Sequence, residues 1–171
     1  DNGTATFLYR ASGSALYYYD AGIGTGTAWN LAGNGTITAG NHVGAAVLGN
    51  TFIAGEAGGS TRHSTNGTSF TNTTAAPPGE FFEQYQNRIF IGGTSSTLFY
   101  STTNDGTNWS TTGTSDSSSL VIPGAGKIHK IFKLGDRIHT GKAGGNIFRW
   151  DGFSLVDMAT GLNMSSPYSY G

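Results

Sequence analysis

The sequence predicts an all-β fold of about four small antiparallel sheets, each made of four short strands. Three observations carry that prediction. First, an acidic or amide residue with Gly, two further residues and a large apolar residue recur along the chain. The copies are Asn66-Gly67-Thr68-Ser69-Phe70, Asp105-Gly106-Thr107-Asn108-Trp109 and Asp151-Gly152-Phe153-Ser154-Leu155. Second, each copy closes a longer unit of apolar runs split by tight-turn residues, and such a repeat specifies an array of small sheets. Third, Gly supplies 28 of 171 residues and charged residues only 11%. No stretch keeps a 3.6-residue apolar period free of Gly and β-branched breakers, so helices are not expected. Small sheets repeated around an axis make a β-propeller, in which radial repetition protects the sheet edges. The whole chain, 1–171, reads as one such domain.

Each unit opens with an Ala/Val- or Ile-rich strand: Val43 to Leu48, Phe81 to Tyr85, Ile128 to Leu134. A turn follows at Gly49-Asn50, Gln86-Asn87 and Gly135-Asp136. Two-residue hairpins need positive φ angles, which Gly, Asn and Asp tolerate best. The second strand ends in Gly: Thr51 to Gly55, Arg88 to Gly92, Arg137 to Gly141. After a small-residue turn, a third strand leads into the motif: Thr61 to Ser64, Leu98 to Ser101, Ile147 to Trp150. The motif's large apolar residue is expected in the fourth strand, which gives units of roughly 41–74, 79–112 and 127–159. Surplus length is expected in loops at Ala21 to Thr27, Gly33 to Gly40 and Gly113 to Gly126.

The first unit, 1–32, lacks its innermost strand. It opens at the turn Asp1-Asn2-Gly3, runs through strands Thr6 to Arg10 and Ala15 to Asp20, and places Trp29 in the slot of Phe70 and Trp109. A matching spare segment, Pro167-Tyr168-Ser169-Tyr170-Gly171, stands at the other end. The expectation is that residues 164–171 pair with the N-terminal blade and close the ring.

The units resemble Asp-box (sialidase-type) repeats of β-propellers, which are common in secreted and phage particle proteins. That motif runs Ser, any, Asp, any, Gly, two residues, then Trp or Phe. Ser64-Thr65-Asn66-Gly67 and Thr103-Asn104-Asp105-Gly106 match it with one residue fewer between acid and Gly. The third copy has Arg149 for Ser and Leu155 for the aromatic. The resemblance implies a structural hairpin rather than a catalytic site. Asn66, Asp105 and Asp151 would cap their turns beside Gly67, Gly106 and Gly152, with Phe70 and Trp109 wedged between blades. A sialidase would also bring three arginines onto one carboxylate, with a Tyr/Glu pair and an acid. Arg10, Arg62, Arg88, Arg137 and Arg149 supply no such set at equivalent positions.

The remaining chemistry is sparse. Cysteine is absent, which excludes disulfides, thiol catalysis and thiolate metal sites. The ten acids are dispersed, Glu80 with Glu83 is too thin for calcium, and no metal or other cofactor is expected. No Gly-x-Ser-x-Gly elbow accompanies His42, His63, His129 or His139. His139 occupies the slot of Ile53 and Phe90, which makes it a strand residue. A net charge of −1 gives no footprint for nucleic acid, and Lys127 to Lys133 reads as a half-solvated strand. No apolar run is long enough for a membrane span. No leader-like segment opens the chain, and Asp1 suggests a mature form or an excised segment. Six Asn-x-Ser/Thr triplets, among them Asn34 and Asn72, are as many as chance gives in this composition.

Aromatic residues reach 12%, and Tyr85, Tyr168 and Tyr170 fall on or near inner strands, where a ligand-binding surface is expected. The function expected is a non-catalytic extracellular or virion-surface structural and adhesion module. Its partners would be cell-surface or particle proteins and glycans, met through loops, with homo-oligomers among the expected states. The alternatives are a sialidase-like glycoside hydrolase and a bare building block assembling edge to edge.

Overall fold

A computed structural model describes residues 7–20, 28–109, 117–143, 145–152 and 154–159. All regular structure among them is β, in four antiparallel sheets, here called blades one to four. Blade one holds β1 (Phe7–Ser12), β2 (Ala15–Asp20) and β3 (Asn30–Thr36). Blade two holds β4 (Val43–Leu48), β5 (Thr51–Glu56), β6 (Arg62–Ser64) and β7 (Thr71–Asn72). Blade three holds β8 (Phe81–Tyr85), β9 (Arg88–Gly92), β10 (Thr97–Tyr100) and β11 (Ser118–Val121). Blade four holds β12 (Ile128–Leu134), β13 (Arg137–Lys142), β14 (Ile147–Trp150) and β15 (Leu155–Ala159). Strands follow chain order within every sheet, so each blade is a simple meander.

Local sequence explains the meander. The β8–β9 hairpin turns at Gln86 and Asn87, whose φ angles of 46° and 55° are both positive, as a type I′ turn requires. Register then follows: Tyr85 faces Arg88 and Phe81 faces Gly92. Alternation along each second strand supplies both sheet faces. Ile89 and Ile91 point towards blade two, and Phe90 points towards blade four.

The core lies between blades. One cluster joins Tyr9, Leu16 and Ala32 of blade one to Phe52, Ala54 and Phe70 of blade two. A second joins Ile53 of blade two to Phe82, Ile89, Ile91 and Trp109 of blade three. A third joins Tyr85, Phe90 and Leu98 of blade three to Ile128, Ile131, Ile138 and Phe148 of blade four. Inner strands approach closely because Gly44 of β4 has no side chain. A Cβ there would lie 2.2 Å from the Glu80 carbonyl oxygen and 2.6 Å from the Phe82 ring.

Two boundaries differ from expectation. The fourth strand of blade three starts at Ser118 rather than at the Trp109 motif. The motif is instead a compact loop, in which the Thr102 amide donates to the Asn108 carbonyl. Blade one's outer strand runs to Thr36, so part of the stretch expected as loop is sheet. Trp29 also departs from the slot of Phe70 and Trp109. It is exposed beside Tyr19, on the face of blade one turned away from blade two. The predicted closing segment, with Tyr168 and Tyr170, and the turn Asp1-Asn2-Gly3 lie outside the described residues.

Candidate functional site

The repeated motif is bound up in its own turns. Asn66 Oδ1 accepts from the backbone amides of Thr68 and Ser69, and Ser64 Oγ accepts from the Gly67 amide. Asp105 Oδ1 accepts from the amide and hydroxyl of Thr107. Asp151 takes the amide and hydroxyl of Ser154 on its two oxygens. These are Asx-type turns, in which the short side chain satisfies amides the sheet leaves unpaired. The glycines sit at blade junctions: a Cβ on Gly67 would strike the Phe7 ring at 2.2 Å, and one on Gly106 would meet Ile53 at 2.5 Å. Phe70 and Trp109 are buried in the clusters between blades. Trp109 Nε1 donates to the Gly106 carbonyl at 2.7 Å.

Charged side chains cluster where the chain crosses between blades. Glu56, at the end of β5, accepts from the Thr38 amide and hydroxyl and from Asn41 Nδ2. Lys142, at the equivalent end of β13, is fully buried and donates to the carbonyls of Ile122 and Gly124. Burial lowers its pKa. Just before β8, Glu80 Oε1 meets Lys127 Nζ at 2.8 Å, and its backbone carbonyl meets His42 Nδ1 at 3.1 Å. Glu80 Oε2 and His129 Nδ1 are buried without a hydrogen-bond partner. Burial depresses His129, Lys127 depresses it further, and Glu80 opposes both. Among the described residues, no three His, Asp or Glu are gathered as metal ligands.

The five arginines are scattered: four are occupied, and the Nε of the fifth, Arg149, is buried without a hydrogen-bond partner. Arg10 lies over the rings of Tyr17 and Trp29, and Arg62 Nη1 donates to the Asn34 carbonyl at 2.6 Å. Arg88 donates to the Ser101 carbonyl and lies over Tyr100, while Arg137 pairs with its neighbour Asp136. Tyr85 is buried against Phe90, and its hydroxyl donates to the Asp136 carbonyl.

An open polar cleft lies at the rim between the first two blades. Asn34 and Thr36 of β3 form one wall, and Arg62, Thr71 and Asn72 of β6 and β7 form the other, over Phe70. The walls are stitched by backbone: the Gly33 amide donates to Thr68, and the Phe70 amide donates to Gly33. Asn34 holds a φ of 55°, a conformation Asn adopts more readily than most residues. The cleft thus presents two amides, two hydroxyls and a guanidinium on a stiff frame. Sequence reasoning noticed Asn34 and Asn72 only as triplets, and their shared cleft exists only once β3 bridges the motif loop that precedes β7. The triple Tyr17-Tyr18-Tyr19 divides between faces, with Tyr18 in the core cluster and the other two turned away from blade two.

A family model described as the DUF6242 beta propeller domain matches residues 1–134. Comparison with curated proteins gives no match.

Proposed function

The chain belongs to the DUF6242 beta propeller domain family, and from that premise we propose that it is a non-catalytic structural and adhesion module of an extracellular or virion surface. Its loops make the contacts, with glycans or proteins as partners, and the rim cleft of Asn34, Thr36, Arg62, Thr71 and Asn72 is the favoured contact point. The observation that carries this reading is the commitment of the repeat's acid and amide side chains. Asn66, Asp105 and Asp151 are spent on their own turns, so the repeat builds a frame and leaves recognition to what projects from it. Amide and hydroxyl side chains on rigid strands suit the hydroxyl-rich surface of a sugar. In the same reading, the segment around Tyr168 to Tyr170 pairs with β1 as the inner strand of blade one. A groove beside β1, lined by Tyr9, Ala11, Val43, Ala45 and Phe52, is the space such a strand would fill.

A glycan-array screen of the intact chain, alongside a fluorogenic sialoside assay across pH, tests the proposal. The expected result is weak glycan or protein binding that Arg62→Ala and Asn72→Ala abolish together, with no sialoside turnover. Turnover lost in Arg88→Ala or Arg137→Ala would overturn the non-catalytic reading.

A further inference from the structure

One slot of the repeat breaks its own pattern at the rim cleft. The fourth residue of the second strand faces the third strand in blades two, three and four. Ile91 faces Phe99, Thr140 faces Phe148, and Ala54 faces Arg62. Phe99 packs on the cluster between blades two and three, and Phe148 is buried between blades three and four. Blade two thus carries a cation where blades three and four carry core aromatics. A local rule broken inside an otherwise consistent repeat is the mark of a functional position.

The facing wall departs from regularity as well. Tyr17 of β2 faces Leu31, and Ala15 faces Thr36. Residues Ala32 to Gly35 of β3 therefore stand against Leu16 alone. A bulge of this kind re-aims side chains, and bulges gather beside sites of function. Here it lets Gly33 exchange backbone bonds with Thr68 and Phe70 of the next blade. It also turns the Asn34 carbonyl onto Arg62 Nη1 at 2.6 Å. Phe70 and the backbone bonds already hold this joint, so packing does not account for a half-buried guanidinium. The cleft between the walls has a volume of about 400 Å³, within the range of roughly 300–1,000 Å³ usual for ligand sites. Asn34, Thr36, Thr71 and Asn72 are exposed along it, and among the described residues no carboxylate lines it.

We propose that the rim cleft binds an acidic saccharide, with Arg62 holding its carboxylate or sulfate and Asn34, Thr36, Thr71 and Asn72 meeting its ring hydroxyls. The inference rests on the reading of this cleft as the contact point and names its ligand class. A guanidinium carries a fork of N–H donors, of which the Asn34 carbonyl takes one, and the fork matches an anionic oxygen pair with two parallel bonds. The bond to Asn34 holds the guanidinium in place before a ligand arrives, which lowers the cost of ordering it. Amides and hydroxyls both donate and accept, as a sugar hydroxyl requires of its partners. An acidic peptide offers the same anion, but it has few hydroxyls for the four short polar side chains, and the saccharide is therefore the favoured ligand.

Titration calorimetry of the intact chain tests it with four probes: an oligouronate, its carboxyl-reduced neutral counterpart, a sulfated neutral oligosaccharide and oligoglutamate. One or both acidic saccharides should bind about tenfold or more tighter than the neutral one, the contribution of one charge-assisted pair. The two acidic arms tell carboxylate from sulfate, and added salt should weaken the binding. Arg62→Phe installs the aromatic that blades three and four carry in this slot. It should melt no lower than the wild type and lose the acidic ligand. Arg62→Gln keeps a polar side chain without the charge and should bind acidic and neutral saccharides alike. A neutral saccharide bound as tightly as the acidic ones, and lost in Asn72→Ala, would refute the acidic class and leave the cleft as a contact point. Acid-selective binding that survives both Arg62→Gln and Asn72→Ala would refute the cleft itself. Preference for oligoglutamate, no binding of either acidic saccharide, or a marked loss of stability in Arg62→Phe would also overturn the proposal.

Discussion

Removing the Trp109 side chain probes the blade-two to blade-three joint most directly. Its ring fills the space between Ile53 on one blade and Phe82, Ile89 and Ile91 on the other, and it is 4% exposed. A buried aromatic removes about 150–250 Å² from water. At about 25 cal/mol per Å² that is roughly 4–6 kcal/mol, reduced because the unfolded chain already buries part of it. The indole also donates to the Gly106 carbonyl, worth about 1 kcal/mol net. Trp109→Ala should therefore cost about 3–5 kcal/mol, the range for large aromatic truncations. Trp109→Phe keeps most of the packing and should cost about 1–2 kcal/mol, mainly through the lost hydrogen bond and one ring. Urea unfolding with a slope of about 2 kcal/mol/M should then move the Ala variant's midpoint down by roughly 1.5–2.5 M. A shift below about 0.5 M would mean that the motif aromatic does not hold the blades together, and the joint as described would be wrong.

Two pH effects follow from buried groups on other blades. Burial and the nearby Tyr18 push Tyr9 up to about 12 from 10.0. The folded state therefore holds its proton longer than the unfolded chain, so stability should fall as pH rises from about 10 to about 12. Tyr9→Phe should flatten that decline in thermal melts, and an unchanged decline would assign it to other groups. His129 and His139 are both lowered, chiefly by burial. The unfolded state then binds more protons just below pH 6.5, so stability should rise with pH up to that value and fall as acid is added. The His129→Gln/His139→Gln double variant should show a shallower acid limb in urea titrations; an identical limb would refute their role.

How much of this was legible in the sequence depended on whether the signal was local. Hairpins were, because Gly49 and Asn87 carry their positive φ angles in their residue types. The second strands were too, since runs such as Arg88 to Gly92 are apolar on both faces, as a sheet buried between neighbours demands. The fourth strand of blade three was not. Ser118–Val121 is mostly exposed and pairs only along β10, and its apolar part, Leu120-Val121, is too short to announce a strand inside a stretch that reads as loop. Trp29 misled for the opposite reason. A large aromatic after a Gly-rich turn matches the motif slot, but burial there depends on a covering blade, and no residue type encodes that neighbour. The rim cleft was equally hidden, because it arises from contact between β3 and the motif loop of the next blade.

The ends of the second strands show how one repeated position can carry different chemistry for the same task. Glu56 and Lys142 both follow the strand-ending Gly, and both bind the connection that enters their own blade. Glu56 accepts from an amide and two side chains near Thr38, and Lys142 donates to two carbonyls near Ile122. The sign of the charge follows from which backbone groups the incoming connection leaves unpaired: amides call for a carboxylate, carbonyls for an ammonium. In blade three the position is Gly93, with φ at 114°, and the incoming residue Glu80 closes the gap itself. A Cβ on Gly93 would lie 2.9 Å from that of Glu80. Glu80 is then held against β9 by its own amide, which donates to the Gly92 carbonyl. Its carboxylate is free to reach across to Lys127 at the start of the next blade. The crossings are therefore fastened by polar groups and the blade faces by apolar ones. That division lets the loops outside the joints vary in length and composition without loosening the frame.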